Sequence, residues 1–222
     1  MNEIFPIIVL FNQKIEETLT FSTFLKVLEN SKEDIKKHIK NVIIVDNSTD
    51  NFICEHNKNY MDNYNVFKNQ LCFVYIGGRI NRGLARAYNV ALNLVDSYRF
   101  QKAWLLLLDQ DSSLTIELFE TFVNYVKEEP NDNVGIVLPR IICNNKLISP
   151  LRVGKNLYDF SECDYGINGL ITSRYTGINS CTFIKIEALK SIKGFDEAFP
   201  IDYLDHITFF KLKERGYNIF VL

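Results

Sequence analysis

The chain has 222 residues, 47% of them hydrophobic and 23% charged, enough for one sizeable core and too few for two comfortable domains. Its formal net charge is -2 and its pI about 6.0, which argues against a generally cationic surface for nucleic acid or anionic lipid and favours a small-molecule partner. The five cysteines, Cys54, Cys72, Cys143, Cys163 and Cys181, form no CxxC pair, and only His38, His56 and His206 could join them around zinc, so reduced and mostly packed thiols are expected.

The amino terminus carries acidic Glu3 and an apolar run broken by Pro6, unlike the basic and apolar regions of a signal peptide. No segment reaches transmembrane length. A cytoplasmic protein is expected, with room for peripheral association at the inner face of a membrane, and the sequon Asn47-Ser48-Thr49 is read as coincidence.

Pro6 to Phe11 and Asn41 to Asp46 read as short apolar strands ending in polar residues. Between them, Leu19, Phe24, Leu25 and Leu28 predict the apolar face of a helix, followed by a solvated charged stretch around Lys32 to Lys40. Asn51 to Asn69 predicts an irregular helix, and Leu71 to Ile76 a third strand. After Asn81-Arg82-Gly83, the spacing of Leu84, Ala87, Tyr88, Ala91, Leu92 and Val95 predicts an amphipathic helix with Arg82, Arg86, Asn89 and Asn93 on its polar face. Its first turn is expected to present free backbone N–H groups near a sheet edge.

Trp104 to Leu108 then runs straight into Asp109-Gln110-Asp111-Ser112. Continuous apolar character predicts a strand buried on both faces, as in a parallel sheet, where ligands gather at the carboxyl ends. Alternate residues of an extended strand point the same way, so Asp109 and Asp111 can converge on a hard cation while Gln110 turns aside. An acidic turn with Asp111, Ser112 or Ser113 as the next N-cap is equally open. A helix over Ile116 to Lys127 and a strand over Val134 to Pro139 follow, which together imply an α/β fold with a doubly wound, mainly parallel sheet.

Beyond Pro139 the pattern changes. Asn144 to Thr176, with several glycines and Tyr158, Phe160, Tyr165 and Tyr175, predicts hairpins or a mobile substrate cover. Ile178 to Ile186 reads as a strand, Glu187 to Ile192 as a short helix, Gly194-Phe195-Asp196 as a turn, and Asp205 to Arg215 as a helix stopped by Gly216. Asp202 and Asp205 stand at that helix start, where a carboxylate serves either as a cap or as a general base.

In this order the segments resemble the family 2 glycosyltransferases, which have the GT-A fold. Ile7 to Asn12 looks like the first strand, Val45-Asp46-Asn47-Ser48-Thr49-Asp50 like the nucleotide-binding strand end, and Asn81 to Asn89 like the helix that follows. Asp109-Gln110-Asp111 matches the DxD motif, and Gly194 to Phe199 with Tyr203-Leu204-Asp205 resembles the acceptor-side region. The resemblance implies one domain, with residues 1–139 holding the nucleotide-sugar and residues 140–222 facing a glycan or lipid-linked acceptor. It places Asn12, Asp46, Asn81, Arg82, Gly83, Arg86 and Asp109 around the donor, Asp46 beside the base or ribose. It puts Mg²⁺ or Mn²⁺ on Asp109 and Asp111, makes Asp205 the catalytic base of an inverting reaction, and leaves Asp202 on the acceptor side.

Leu107 to Ser112 with Ile201 to Asp205 is most similar to the bacterial rhamnosyltransferase branch, whose donor is dTDP-rhamnose and whose products are surface polysaccharides. A UDP-hexose donor and a non-catalytic nucleotide-sugar-binding module are the alternatives. Neither GxGxxG nor GxxxxGK occurs, which disfavours dinucleotide enzymes and P-loop NTPases, and a nucleotidyltransferase lacks its glycine-rich loop here. Family members usually continue past an end such as Asn218 to Leu222, so a truncated catalytic domain is expected. Leu204 stands where many relatives have a glutamate.

Overall fold

A computed structural model describes residues 2–67, 72–100, 102–128, 133–156 and 159–222. Leu71, Asn69 and Tyr158, named above at a strand start, a helix end and in the predicted cover, lie outside the described residues. The first half alternates strands and helices: β1 (Glu3–Leu10), a 3₁₀ turn at Ile15–Glu17, α1 (Leu19–Asn30), α2 (Glu33–Lys36), β2 (Val42–Asp46), α3 (Asn51–Phe67), β3 (Phe73–Gly77), α4 (Leu84–Ser97), β4 (Ala103–Asp109), α5 (Ile116–Lys127) and β5 (Val134–Leu138). Short strands follow: β6 (Ile141–Cys143), β7 (Lys146–Ser149), β8 (Leu151–Val153), β9 (Phe160–Glu162), β10 (Gly169–Ile171), β11 (Tyr175–Thr176) and β12 (Thr182–Lys185). The chain then forms α6 (Ile186–Ser191), α7 (Leu204–Glu214) and β13 (Asn218–Val221).

Eight strands form the central sheet in the order β10-β13-β5-β12-β4-β1-β2-β3. Pairings β1–β2, β1–β4, β2–β3 and β5–β13 are parallel, whereas β4–β12, β5–β12 and β10–β13 are antiparallel. The antiparallel β12 inserts between β4 and β5, so the two parts distinguished in the sequence share one sheet. Residues β8, β9 and β11 form a separate three-stranded sheet, and β6 pairs with β7 as a hairpin. No helix among the described residues is long and apolar enough to cross a membrane.

β4 explains the apolar run that marks it. Leu105, Leu106, Leu107 and Leu108 are fully buried, and the period of two sends them to opposite layers. Trp104, Leu106 and Leu108 join one core with α1 and α5, while Leu105 and Leu107 join another with α4 and α7. Each such leucine stabilises the fold by roughly 1.5–3 kcal/mol relative to exposure. On β12, Phe183 stacks on Phe122 of α5 with ring centroids 3.8 Å apart.

Several expectations shift. Phe11 lies beyond β1 and is exposed. In α1, Thr18 accepts the Phe21 amide as N-cap, and this phase buries Thr20, Phe21, Phe24 and Val27 while Leu19 is 48% exposed. The charged stretch after it is less solvated than expected, because Ile35, His38 and Ile39 are buried. α3 is a regular helix started by Asp50, whose Oδ1 accepts the Ile53 amide at 3.0 Å. Thr115, not Asp111, Ser112 or Ser113, caps α5. β12 is shorter than its predicted run, since Ile186 already begins α6. Of the five thiols, Cys54, Cys163 and Cys181 are buried and Cys72 and Cys143 exposed, all unpaired.

The Gly194–Phe199 turn is tied to α7 by Asp196, whose Oδ2 accepts from Lys211 Nζ at 2.6 Å. That bond holds the Asp196 carboxyl below its ordinary range. A depressed carboxylate contributes stability present above the unfolded value and lost as pH falls through the folded one. Asp196→Asn is therefore expected to lower stability by roughly 0.5 kcal/mol at neutral pH, with the gap to wild type closing on acidification below pH ~4 in urea melts. Phe183→Ala is expected to cost about 3–5 kcal/mol in the same assay, because it empties a position between two strands and α5.

Candidate active site

The carboxyl ends of β1, β2 and β4 open on one side of the sheet, and the loops that leave them are held together by side-chain amides. Asn12, in the left-handed region at φ 48°, donates its backbone N–H to Ser48 Oγ at 2.8 Å, and its Oδ1 accepts from Thr49 N at 3.0 Å. Asn47 reaches the next loop: its Nδ2 donates to the Gly83 carbonyl at 3.2 Å, and its Oδ1 accepts from Arg82 N at 3.4 Å. Asn81 Oδ1 accepts from Gly83 N at 2.9 Å. These bonds bring the ends of β1, β2 and the start of α4 into one rim.

Asp46, which the resemblance places beside the base or ribose, is engaged by protein donors. It is fully buried, with Oδ1 accepting from Ser48 N at 2.9 Å and Oδ2 from Asn57 Nδ2 at 2.8 Å and the Tyr75 hydroxyl at 2.7 Å. Three protein donors thus hold the carboxylate, and through it the rim. The first turn of α4 is also occupied. The Pro200 carbonyl accepts from Leu84 N at 2.6 Å and Ala85 N at 3.4 Å, which takes up two of the amides expected to be open. Gly83 permits this approach: it has φ 74°, and a Cβ there would lie 3.0 Å from Pro200 Cβ. Arg86 lies exposed on that turn. Arg82 is half-buried, and its Nη1 is buried without a hydrogen-bond partner among the described residues.

At β4 the strand ends on Asp109, and Gln110 and Asp111 are already in a turn, where Ser112 N donates to the Asp109 carbonyl at 3.3 Å. Strand alternation therefore does not govern Asp111, which is exposed while Asp109 is half-buried. Gln110 turns aside, with its Oε1 accepting from Phe11 N at 2.8 Å. The Asp109 carboxylate is held by two hydroxyls: Ser180 donates to Oδ2, and Tyr88 lies 3.5 Å from Oδ1. Burial pushes the Asp109 carboxyl above its ordinary range, the Ser180 and Tyr88 bonds oppose this, and the charges of Asp111 and Asp205 add to it.

Asp205 opens α7 and is half-buried. Its charge also acts on Tyr88, whose phenol burial pushes up first and foremost. No side chain caps this helix. Tyr203 stands at the cap position with φ 60°, Asp205 Oδ1 accepts from His206 N at 2.8 Å, and Asp202 is exposed in the preceding turn. His206 shares a 2.9 Å hydrogen bond with Thr176 Oγ1, and burial lowers its pKa against the influence of Asp205.

The donor set suits a hard cation shared with a diphosphate. Among the described residues no three His, Cys, Asp or Glu side chains converge to cage a metal. One or two carboxylates, with remaining positions left to phosphate oxygens and water, are the usual provision for Mg²⁺, and Mn²⁺ also accepts oxygen ligands. The half-buried Asp109 carboxylate, pushed above its ordinary range, and the Arg82 nitrogen that has no partner among the described residues both fit such a load.

Ser180, Tyr88, Asn47 and Asn89 complete the site without having been singled out for it. Tyr88 reads in sequence as a core position of α4, and nothing local marks its hydroxyl or Ser180. Asn89 reads as solvent-facing, yet its Nδ2 donates to the Phe195 carbonyl at 2.9 Å and its Oδ1 accepts from Phe195 N at 2.8 Å.

No curated sequence matched the chain. Among solved structures, a mannosyltransferase from Pyrobaculum calidifontis in complex with GDP-Man and Mn²⁺ superposes with a TM-score of 0.63 at 18% identity, covering 99% of this chain and 54% of that one. GalNAc-T7 with UDP, GalNAc and Mn²⁺ gives 0.70 at 14% identity, covering 100% of this chain and 42% of that one. The chain thus spans about half the length of these structures, with which it shares the GT-A fold. The family described as glycosyl transferase family 2 matches residues 7–192, and the chain belongs to that family.

Proposed function

We propose that this domain is an inverting glycosyltransferase that moves a sugar from a nucleoside diphosphate to a hydroxyl of a glycan or lipid-linked acceptor. The observation that carries this reading is the end of β4, where Asp109 is held by the Ser180 and Tyr88 hydroxyls, Asp111 stands exposed in the next turn, and Asp205 at the start of α7 is near enough for its charge to act on Asp109. A held carboxylate beside an exposed one offers oxygen ligands to a cation and a third at the start of α7 offers a base, and a transferase of this kind uses both.

Asp111, with Asp109, offers the oxygen ligands, and Ser180 and Tyr88 keep Asp109 oriented. A divalent cation held there would supply positive charge against the diphosphate of the leaving nucleotide. Arg82 adds unspent guanidinium donors on the same rim. Asp205 takes the proton of the acceptor hydroxyl as its oxygen attacks the anomeric carbon from the face opposite the diphosphate, and a single displacement inverts that carbon.

The donor follows the resemblance of Asp109-Gln110-Asp111-Ser112 to rhamnosyltransferases, which favours dTDP-rhamnose. The neighbouring structures hold GDP-Man and UDP, so the fold itself accommodates purine and pyrimidine donors. Polysaccharide synthesis at the inner face of a bacterial membrane is the setting that matches this donor.

In calorimetry, dTDP is expected to bind in Mn²⁺ or Mg²⁺ and to weaken strongly in EDTA, and Asp111→Asn is expected to abolish most of that metal dependence while the melting temperature holds. Equal nucleotide affinity with and without metal removes the metal assignment, and a clear preference for GDP over dTDP and UDP removes rhamnose. Asp205→Asn in the full-length protein is expected to lower turnover by roughly 10²-fold or more with donor binding intact. Transfer at near wild-type rate would move the base elsewhere, with Asp202 the next residue to test.

A further inference from the structure

A cavity of about 260 Å³ lies between α7 and the small β11-β8-β9 sheet. One wall is a single helical face, since His206, Phe209, Phe210, Lys213 and Glu214 recur at three- and four-residue spacing from the first turn of α7 to the last. Phe160, Arg174 and Tyr175 stand among the residues of the other wall. The middle is therefore aromatic and both ends are polar. His206 at one end follows Asp205 directly, with its Nδ1 3.8 Å from Asp205 Oδ1.

The far end carries positive charge. Lys213 Nζ donates to the carbonyls of Thr172, at 3.0 Å, and Ser173, while Arg174 Nη1 donates to those of Gly154 and Lys155 at 3.2 and 3.3 Å. Among the described residues both cations bond to main-chain carbonyls and neither to a carboxylate. An ammonium has three donors and a guanidinium five, so each retains capacity. Glu214 is the single carboxylate in the lining, which leaves the pair in excess.

We propose that this cavity binds an anionic sugar residue of the acceptor, adjacent to the residue whose hydroxyl Asp205 deprotonates. This rests on the transferase reading for the word acceptor, and on the cavity alone for the ligand class. Phe160, Tyr175 and Phe210 line the cavity with aromatic surface suited to the C–H side of a pyranose, with one face of Phe160 already against His206 at a centroid distance of 4.2 Å. Arg174 and Lys213 stand where a carboxylate or phosphate substituent would find charge-assisted bonds. A polyprenyl chain suits the site less well, because His206 and Thr176 close one end with polar groups and three charged side chains close the other. Burial, and then the charge of Arg174, lower the Lys213 pKa, and an anion between the two would relieve the second effect.

The test is an NMR titration of the full protein with methyl β-glucuronide and glucose 6-phosphate, against methyl β-glucoside and farnesyl phosphate, with Mn²⁺-dependent dTDP binding measured in parallel. At least one anionic sugar is expected to shift resonances of α7 and β11 and to bind about tenfold more tightly than the neutral glucoside, the value of one charge-assisted bond. Lys213→Met, which keeps the stem, is expected to remove that preference. Phe210→Ala, at a partly exposed position, is expected to weaken all sugars, and dTDP binding should be unchanged in both variants. Equal affinity for charged and neutral sugars, farnesyl phosphate binding in their place, or sugar binding unaltered in both variants overturns the cavity proposal. Nucleotide binding with no sugar binding overturns the cavity proposal alone. Sugar binding at α7 with no nucleotide binding under any condition supports the ligand class and overturns the transferase reading.

Discussion

Burial of β4 between β1 and β12 is the constraint on which the site depends. A strand covered on both faces delivers its last side chain into a partly dry corner, and that side chain is a carboxylate. Desolvation disfavours its charge, so the fold must compensate. The hydroxyls of Ser180 and Tyr88 do so in part and at the same time fix the direction in which Asp109 presents its oxygens. One residue later the chain is in a turn and Asp111 is exposed, which divides the two carboxylates into a held one and a reachable one. Thr20 of α1 braces the corner from behind, since its Oγ1 donates to the carbonyls of Asp109 and Ser112.

The rest of the rim is assembled by asparagines. A carboxamide has both an acceptor and two donors, so one side chain can tie two loops without leaving a buried polar atom unpaired. Asn12 ties the end of β1 to the loop after β2, Asn47 ties that loop to Arg82 and Gly83, and Asn89 grips both backbone groups of Phe195. Through Asn89 and the Pro200 carbonyl, α4 positions the Gly194–Pro200 segment and with it the start of α7, where Asp205 stands. The donor rim and the proton-accepting end are thus one connected object.

α7 serves both the main cleft and the second cavity. Leu204, Thr208, Phe209 and Leu212 are buried, while His206, Phe210 and Lys213 line the cavity beneath the small sheet. A helix covered on more than one side loses the clean division into apolar and polar faces. For that reason its sequence marks where it starts and stops more clearly than which of its faces is inside.

What the sequence by itself determined is what short-range physics controls. An apolar run ending in Asp109 specified a buried strand and its charged end, the spacing from Leu84 to Val95 specified α4, the ends of α5 were placed as they stand, and Gly216, at φ 84°, marked the stop of α7. The order of these segments was enough to recognise the family. The tertiary structure decided which polar groups are left over for chemistry. Asp46 sits in the expected strand end, yet its oxygens accept from Ser48, Asn57 and Tyr75, and two of the amides opening α4 donate to Pro200. Ser180 reaches Asp109 across 71 residues of chain, and Asn89 reaches Phe195 across 106. Hydrogen bonds over such separations leave no periodic or local trace, because they depend on the fold having already brought the two strands or loops together.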